Sequence, residues 1–412
     1  MQSEYFPDDS WIGGQGDALG RDGPTLGLAM IMKNETANLP YSLGPMAGLV
    51  DEMVVVDTGS TDDSAEMAAG YGAKVVHWAW NDDFSQARNH GLGFMKSDFI
   101  LWLDADNSLT ATDLSMIRCR LGGGGLIFTA TEVVVPQGDR LWQKRVFLNS
   151  PEARFEGRIH EQLTHPEDWP VVHTAAEIRH WGYADGKQAR EKGHRNLQLL
   201  ISDPMTAAGD FYHLYQTGRT LVNLRYFKEA KAYLTSAIEA GLPAVAEGDI
   251  NPSLWSHAVI LLSQAHQRLC DPKEAEEALR YLCRVRPDYG PARAFLGRLL
   301  YDSGRVDECV PHLMKALAFG CGDPGWGADH RKQGFVAACL LAKATGSLGR
   351  HQEAKKAWEE ALRLNPEHPE PYVALAESSI TSGDTPMARR LLAEAIRLAP
   401  THRRALSMEA SL

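Results

Sequence analysis

The sequence predicts an α/β domain with a Rossmann-like core extended into a mixed sheet, followed by an all-α solenoid of helix pairs. Three observations carry this. Apolar runs alternate with capped, helix-forming segments from Leu26 to about Leu121, the pattern of a parallel sheet covered by helices. Beyond Leu121 the helical segments give way to extended ones. From Asp210 to the end, small, bulky and turn residues recur at a spacing of 34, the mark of a repeat architecture. The expected organisation is a loose leader over 1–24, an α/β domain over 25–186, a linker helix over 187–209 and the repeats over 210–412.

Leu26 to Asn34 is a nearly continuous apolar run, as a buried strand should be. Glu35 to Val50 reads as a helix broken by Pro40. Asp51 to Asp57 is a valine-rich strand, and Thr61 to Gly70 a helix opened by a Thr/Asp cap. Lys74 to Trp80, Ser85 to Lys96 and Phe99 to Leu103 continue as strand, helix and strand. Extended segments follow at Leu126–Val135, Arg140–Asn149, Ala153–Leu163 and Val171–Tyr183, and Lys187 to Leu200 is a helix leading into the repeats.

In the repeats, Ala275 and Cys309 are 34 apart, as are Ala354 and Ala388. Ala316, Ala361 and Ala395 form a second small column, with Leu313, Trp358 and Leu392 between the two. Gly304, Gly349 and Gly383, then Pro287, Pro366 and Pro400, mark turns. Small residues let paired helices approach, bulky ones fill the gap, and Gly and Pro end the helices. A further, degenerate unit holds Ala230, Leu234 and Ala237. Two intervals, from Ala230 to Ala275 and from Cys309 to Ala354, are 45 long, so each carries eleven extra residues. These columns resemble tetratricopeptide repeats, which speaks for the fold and not for any one activity.

Composition narrows the function. A formal net charge of -11 argues against a general nucleic-acid binder, which needs basic surface for phosphates. It leaves room for a nucleotide ligand whose charge a divalent cation offsets. No stretch reaches 18 consecutive apolar residues, and the acidic, glycine-rich start lacks the basic and apolar regions of a signal peptide. The six cysteines form no CxxC pair and read as small core residues of a cytoplasmic protein. Gly14-Gln15-Gly16 with Gly20 follows no strand, and no phosphate-loop or GxSxG motif is present.

In parallel sheets ligands sit beyond the C-terminal strand ends. Those ends carry Asn34-Glu35, Asp57-Thr58-Gly59-Ser60 and Asp104-Ala105-Asp106. Two carboxylates two residues apart suit a hard divalent ion that also bridges phosphate oxygens, though Asp-x-Asp also serves as a plain turn cap. A strand-end carboxylate before a Gly-Ser turn can accept from a ribose or base; a strand-to-helix turn capped by Asp62 explains the same residues.

Together these stretches resemble the nucleotide-sugar-binding half of GT-A glycosyltransferases of family 2. The matching text is Met32-Lys33-Asn34-Glu35, Val54 to Asp62, Asp83-Phe84-Ser85, Ala87-Arg88-Asn89 and Leu101 to Asp106, over about 80 residues. Asn107 departs from relatives that carry an acid there. The resemblance implies that Glu35 and Asp57 hold the nucleoside, that Arg88 approaches the nucleotide, and that Asp104 meets the ribose or metal. It implies that Asp106 holds manganese or magnesium at the diphosphate. Arg88 could instead pair with Asp82 or Asp83. Glu161, in a Gly-x-Ile-His-Glu stretch like that of cytoplasmic bacterial relatives, is the expected base, since an inverting transfer must deprotonate its acceptor. His160 and Glu161 could alternatively only orient a loop. His180 resembles the late histidine that completes the metal sphere in some such enzymes, or it is structural. Lys144 and Arg145 could face the diphosphate, but a solvated strand face is the simpler reading.

The sequence thus predicts a cytoplasmic inverting glycosyltransferase that moves a sugar from a UDP-linked donor to a peptide or protein acceptor held by the repeats. A lipopolysaccharide or other glycan acceptor is the alternative within that class, and a non-catalytic repeat scaffold the alternative outside it. The repeats could also form a homodimer surface.

Overall fold

A computed structural model describes residues 23–135, 139–181, 186–248, 252–323 and 325–412. The expected leader, apart from Gly23 and Pro24, and the Gly14, Gly16 and Gly20 pattern lie outside these residues.

The alternating half folds as the apolar runs dictate. Strand β1 (Leu26–Met32) is followed by the short helix α1 (Leu39–Ser42), β2 (Glu52–Asp57), α2 (Ser64–Gly70), β3 (Lys74–His77), α3 (Phe84–Leu92) and β4 (Phe99–Asp104). The broken helix over 35–50 is reduced to α1 and one 3-10 turn, Gly44–Met46, because Pro40 and Pro45 each remove a backbone donor. Next come β5 (Asn107–Leu109) and α4 (Ala111–Arg118), neither of which the apolar pattern had marked. Thr110 caps α4 by accepting from the Asp113 amide.

The remaining strands are β6 (Ile127–Val134), β7 (Asp139–Leu148), β8 (Arg154–Glu156), β9 (Gln162–Thr164) and β10 (Val171–His180). The extended segment expected over 153–163 is the antiparallel hairpin β8–β9, turned at Gly157–His160, where Gly157 and His160 both have positive φ. The main sheet has the order β3-β2-β1-β4-β7-β6-β10-β5. β1 runs parallel to β2 and β4, β2 parallel to β3, and β7 antiparallel to β4, which makes the sheet mixed. Register fixes the site: Met32 lies beside Asp57, Asp57 beside His77, and Ile31 beside Asp104, so the acidic strand ends share one edge.

The helical half opens with α5 (Gly186–Ile201) and α6 (Pro204–Ala207). Five helix pairs follow. They are α7 (Phe211–Asn223) with α8 (Phe227–Glu247), α9 (Pro252–Arg268) with α10 (Pro272–Val285), and α11 (Gly290–Asp302) with α12 (Val306–Phe319). Then come α13 (His330–Ser347) with α14 (His351–Leu364), and α15 (Pro369–Thr381) with α16 (Thr385–Leu398). A further helix, α17 (Arg403–Ala410), buries Ala405 and leaves Leu406 exposed.

Both small columns are buried, with Ala275, Cys309, Ala388, Ala316, Ala361 and Ala395 fully enclosed. Gly218 and Gly297 extend the logic: a Cβ there would meet the Leu234 and Leu313 side chains at 2.6 and 2.7 Å, so each glycine sets the closeness of its helix pair. Gly304, Gly349 and Gly383 have φ of 75°, 73° and 82°, the left-handed helix stop. Each eleven-residue excess is divided between elements: one lengthens α8 and α9, and the other lengthens the connection over 320–329 and α13. Cys283, Cys309 and Cys321 are buried as expected, whereas Cys119 and Cys270 are exposed, each at the end of its helix, where no core reaches it.

The chain separates into two compact units that do not follow one cut in sequence. The first holds residues up to Thr131, Gln143–Glu156 and Glu161–Ile178. The second holds Glu132–Trp142, Gly157–His160 and everything from Arg179 onward. Among the described residues no helix is long and apolar enough to cross a membrane.

Candidate active site

The loops after β1 and β2 are tied together before any ligand is considered. Asn34, at φ 56°, accepts from the Thr61 amide at 2.7 Å, and its own amide donates to Ser60 Oγ at 3.0 Å. The Glu35 amide donates to Ser64 Oγ at 2.7 Å, and the Glu35 carboxylate accepts from Asn38 at 2.6 Å. Asp57 is buried. One of its oxygens accepts from the Ser60 amide at 2.9 Å, closing the Gly-Ser turn, and the other lies 3.1 Å from His77 Nδ1. His77 is an exposed neighbour that sequence reading missed. Only the pairing of β2 with β3 brings it to Asp57.

Helix α3 carries the centre of the site. Asp83 caps it by accepting from the Gln86 amide, Ala87 is fully buried, and a Cβ on Gly91 would approach Val56 to 2.7 Å. That close packing on β2 places Arg88 under the strand ends. Arg88 is 7% exposed and neither Asp82 nor Asp83 holds it. Its Nη2 donates to Asp104 Oδ1 at 2.6 Å and its Nε to Glu161 Oε1 at 2.5 Å. Asn89 holds the backbone of Phe155 in both directions, at 2.8 and 2.9 Å, and so ties the β8–β9 hairpin to α3.

Arg145 is the larger departure. The solvated strand face expected for it fails: the side chain is 1% exposed, its guanidinium lies 3.9 Å over the Trp102 ring, and its Nη1 is 3.5 Å from Asp104 Oδ2. Arg88 lies over the same ring at 4.4 Å. The pairing of β4 with β7 turns Arg145 inward, and Lys144, next to it, is exposed and reaches His165 at 2.8 Å.

Two carboxylates and two guanidinium groups therefore form one chain, Glu161–Arg88–Asp104–Arg145, with the arginines buried and the carboxylates half-buried. Burial alone would raise Asp104, but the Arg88 charge, then that of Arg145, outweighs both burial and the neighbouring Asp106 and holds it below the usual carboxylate range. Burial alone would lower Arg88; Asp104 and Glu161 reverse this and lock it in the charged form. Asn107, buried, accepts from the Asp104 amide at 3.0 Å, so the residue that departs from the family pattern braces the Asp104–Asp106 turn.

Asp104 and Asp106 are hard oxygen donors of the kind that hold an ion completed by substrate phosphates. They fit that use better than a protein-built cage. Among the described residues no three His, Cys, Asp or Glu side chains converge for a metal, and Asp104 is already shared by two arginines. His180, the expected third ligand, ends β10 in the second unit, half-buried, with its carbonyl accepting from the Val135 amide at 2.9 Å. A recess of about 10 Å³ beside Arg88, room for little more than one water, is walled by Ala29, Val56, Gly91, Leu92, Trp102 and Phe155. It is apolar and below the roughly 300–1,000 Å³ of typical ligand pockets.

Comparison with known proteins bears on the family and the fold. Residues 28–175 match the model of glycosyl transferase family 2, and residues 290–313 and 347–412 match models of the tetratricopeptide repeat. The chain thus joins a family 2 glycosyltransferase domain to tetratricopeptide repeats. A TPR repeat-containing protein of Synechococcus elongatus is 32% identical over 55% of this chain and 60% of its own length. The SPbeta prophage-derived glycosyltransferase SunS of Bacillus subtilis is 25% identical over 53% of this chain and 54% of its own length. The chain therefore spans between half and two thirds of the length of these curated relatives. Among solved structures, the tetratricopeptide protein YrrB, described as having an unusual peptide-binding site, aligns with 49% of this chain and 93% of its own at 16% identity and a TM-score of 0.38.

Proposed function

We propose that this protein is an inverting glycosyltransferase that moves a sugar from a UDP-linked donor to a peptide or protein acceptor engaged by the repeats. The observation that carries this reading is the Glu161–Arg88–Asp104 chain at the edge where Asp57 and Asp106 also stand. The matched family and the relative named a glycosyltransferase support the class of reaction.

In this reading Asp57 and Glu35 receive the nucleoside at the open strand ends, since the apolar recess is too small for it. Asp106, with Asp104, would hold a divalent ion, whose charge would offset that of the leaving diphosphate. Glu161 takes the acceptor proton. The acceptor oxygen or other nucleophile bonds to the anomeric carbon from the side opposite the diphosphate, the carbon–oxygen bond to the diphosphate breaks, and UDP leaves with that electron pair. Arg88 occupies Glu161 Oε1, which leaves Oε2 to meet the proton. Without acceptor, water takes its place and the sugar is released by hydrolysis.

Purified protein offered each UDP- and GDP-sugar with manganese should release nucleotide from at least one UDP-sugar. No release and no UDP binding would refute the enzyme reading and leave the scaffold. Transfer to a glycan but not to peptides in an acceptor screen would replace the peptide acceptor with the glycan alternative.

A further inference from the structure

Asp57, the proposed nucleoside residue, offers little surface of its own. Its side chain is 5% exposed, with one oxygen on the Ser60 amide and the other on His77 Nδ1. His77 is the opposite case: its side chain is 74% exposed, and Asp57 is the group that holds it. Register brings the two together. They form the last pair of the parallel strands β2 and β3, and paired residues of a parallel ladder share a face. Among the described residues β3 ends the main sheet, so no further strand lies beyond His77. The turn after Asp57 leaves room as well, since Gly59, at φ 101°, has open space where a Cβ would stand.

The hydrogen bond fixes the chemistry of the ring. An ionised carboxylate only accepts, so His77 Nδ1 carries the proton and donates to Asp57 Oδ2 at 3.1 Å. In the neutral imidazole the other nitrogen, Nε2, is then an acceptor, and the bond at Nδ1 holds the ring in place. This is a prepared acceptor on an exposed ring, at the C-terminal strand edge where such sheets receive their ligands.

We infer that His77 contacts the nucleoside of the donor: Nε2 accepts from an N–H of the base or an O–H of the ribose, and Asp57 also acts as the positioning residue that presents the ring. The inference rests on the proposed function, because it adds a residue to that nucleoside site. It concerns binding of the donor and no step of the transfer.

The test uses two part-copies of imidazole. An Asn amide reaches as far as Nδ1 and can donate to Asp57, whereas a Gln carbonyl reaches as far as Nε2 and can accept from the ligand. By titration calorimetry of the full chain with manganese, His77→Gln should bind UDP within about 2-fold of wild type. His77→Asn and His77→Phe should each bind it about 5-fold more weakly, the scale of one neutral hydrogen bond. With the UDP-sugar hydrolysed fastest in the donor screen, the loss in His77→Phe should fall on the donor KM and not on kcat. The gap between wild type and His77→Phe should close with one analogue. Closure with CDP, whose base carries no proton at N3, places the donated hydrogen on the base; closure with 2′-deoxy-UDP or 3′-deoxy-UDP places it on the ribose. If His77→Asn binds like wild type and His77→Gln as poorly as His77→Phe, the ring only props Asp57 and the inference is overturned. Equal UDP affinity in all four proteins, or a gap that persists with every analogue, overturns it too, while wild-type binding of UDP still stands. Absence of UDP binding and of hydrolysis in wild type overturns the proposed function, and the inference with it.

Discussion

In the repeat array one residue can be read from another 34 positions away; at the strand edge no residue predicts its partner. Leu313 and Leu392 sit in equivalent, fully buried slots, each flanked by the same two small columns. Arg88, Asp104, Arg145 and Glu161 come from a helix, two strands and a turn, and three ion pairs, each made once, join them end to end. The difference is one of redundancy. A solenoid spreads its stability over many alike contacts between neighbouring helices. A buried ionic chain concentrates it, because removing one member strands a charge.

The largest effect should follow from breaking that chain. Arg88→Leu leaves the Asp104 and Glu161 carboxylates together without their shared cation. It should cost about 3–5 kcal/mol of stability, read by thermal or urea unfolding, and abolish nucleotide release. A variant as stable as the parent would show that the two carboxylates do not need Arg88. Glu161→Gln keeps the shape and one acceptor oxygen. It should bind UDP normally yet slow release by about 10²–10⁴-fold, the usual worth of a positioned base. Near-normal turnover would place the base elsewhere.

In the repeats, Leu313→Ala should cost about 3 kcal/mol through the cavity it opens between α11 and α12, while UDP binding is retained. Loss of UDP binding would erase the contrast between the two regions. Acid should weaken the second unit in its own way. Burial pulls His257 well below 6.5, and burial with nearby cations holds His160 and His312 at about 4. These rings stay neutral in the fold but take up protons in the unfolded chain. Their support is complete above about pH 6.5 and is lost progressively as pH falls toward 4. Across that window the urea midpoint of wild type should fall more steeply toward acid than that of His312→Asn; parallel curves would deny His312 this part. The smallest effect is expected at a helix stop. Gly349→Ala, at φ 73°, should cost about 1 kcal/mol by melting and leave turnover unchanged.

What could be read in the sequence follows the same division. The repeat columns and the acidic strand ends were legible because local patterns write them: a period, an apolar run, an acid after it. The pairing of Arg88 was not, since Asp82 and Asp83 are its neighbours in sequence while Asp104 and Glu161 are its neighbours in space. Arg145 was misread because Lys144-Arg145 looks like a solvated pair until the pairing of β7 with β4 turns one inward. His77 reaches Asp57 only through sheet register. Gly157 and His160 break one extended segment into a hairpin, and a histidine at positive φ leaves no mark in composition.

If Glu161 and Asp104, joined through Arg88, serve one reaction on a nucleotide sugar, nucleotide release must need both. Nucleotide release measured side by side for wild type, Asp104→Asn and Glu161→Gln tests it most directly, with UDP binding followed in the same samples. Wild type should release nucleotide, either variant little or none, and UDP binding should survive in Glu161→Gln. Wild-type release that persists unchanged in both variants would contradict it.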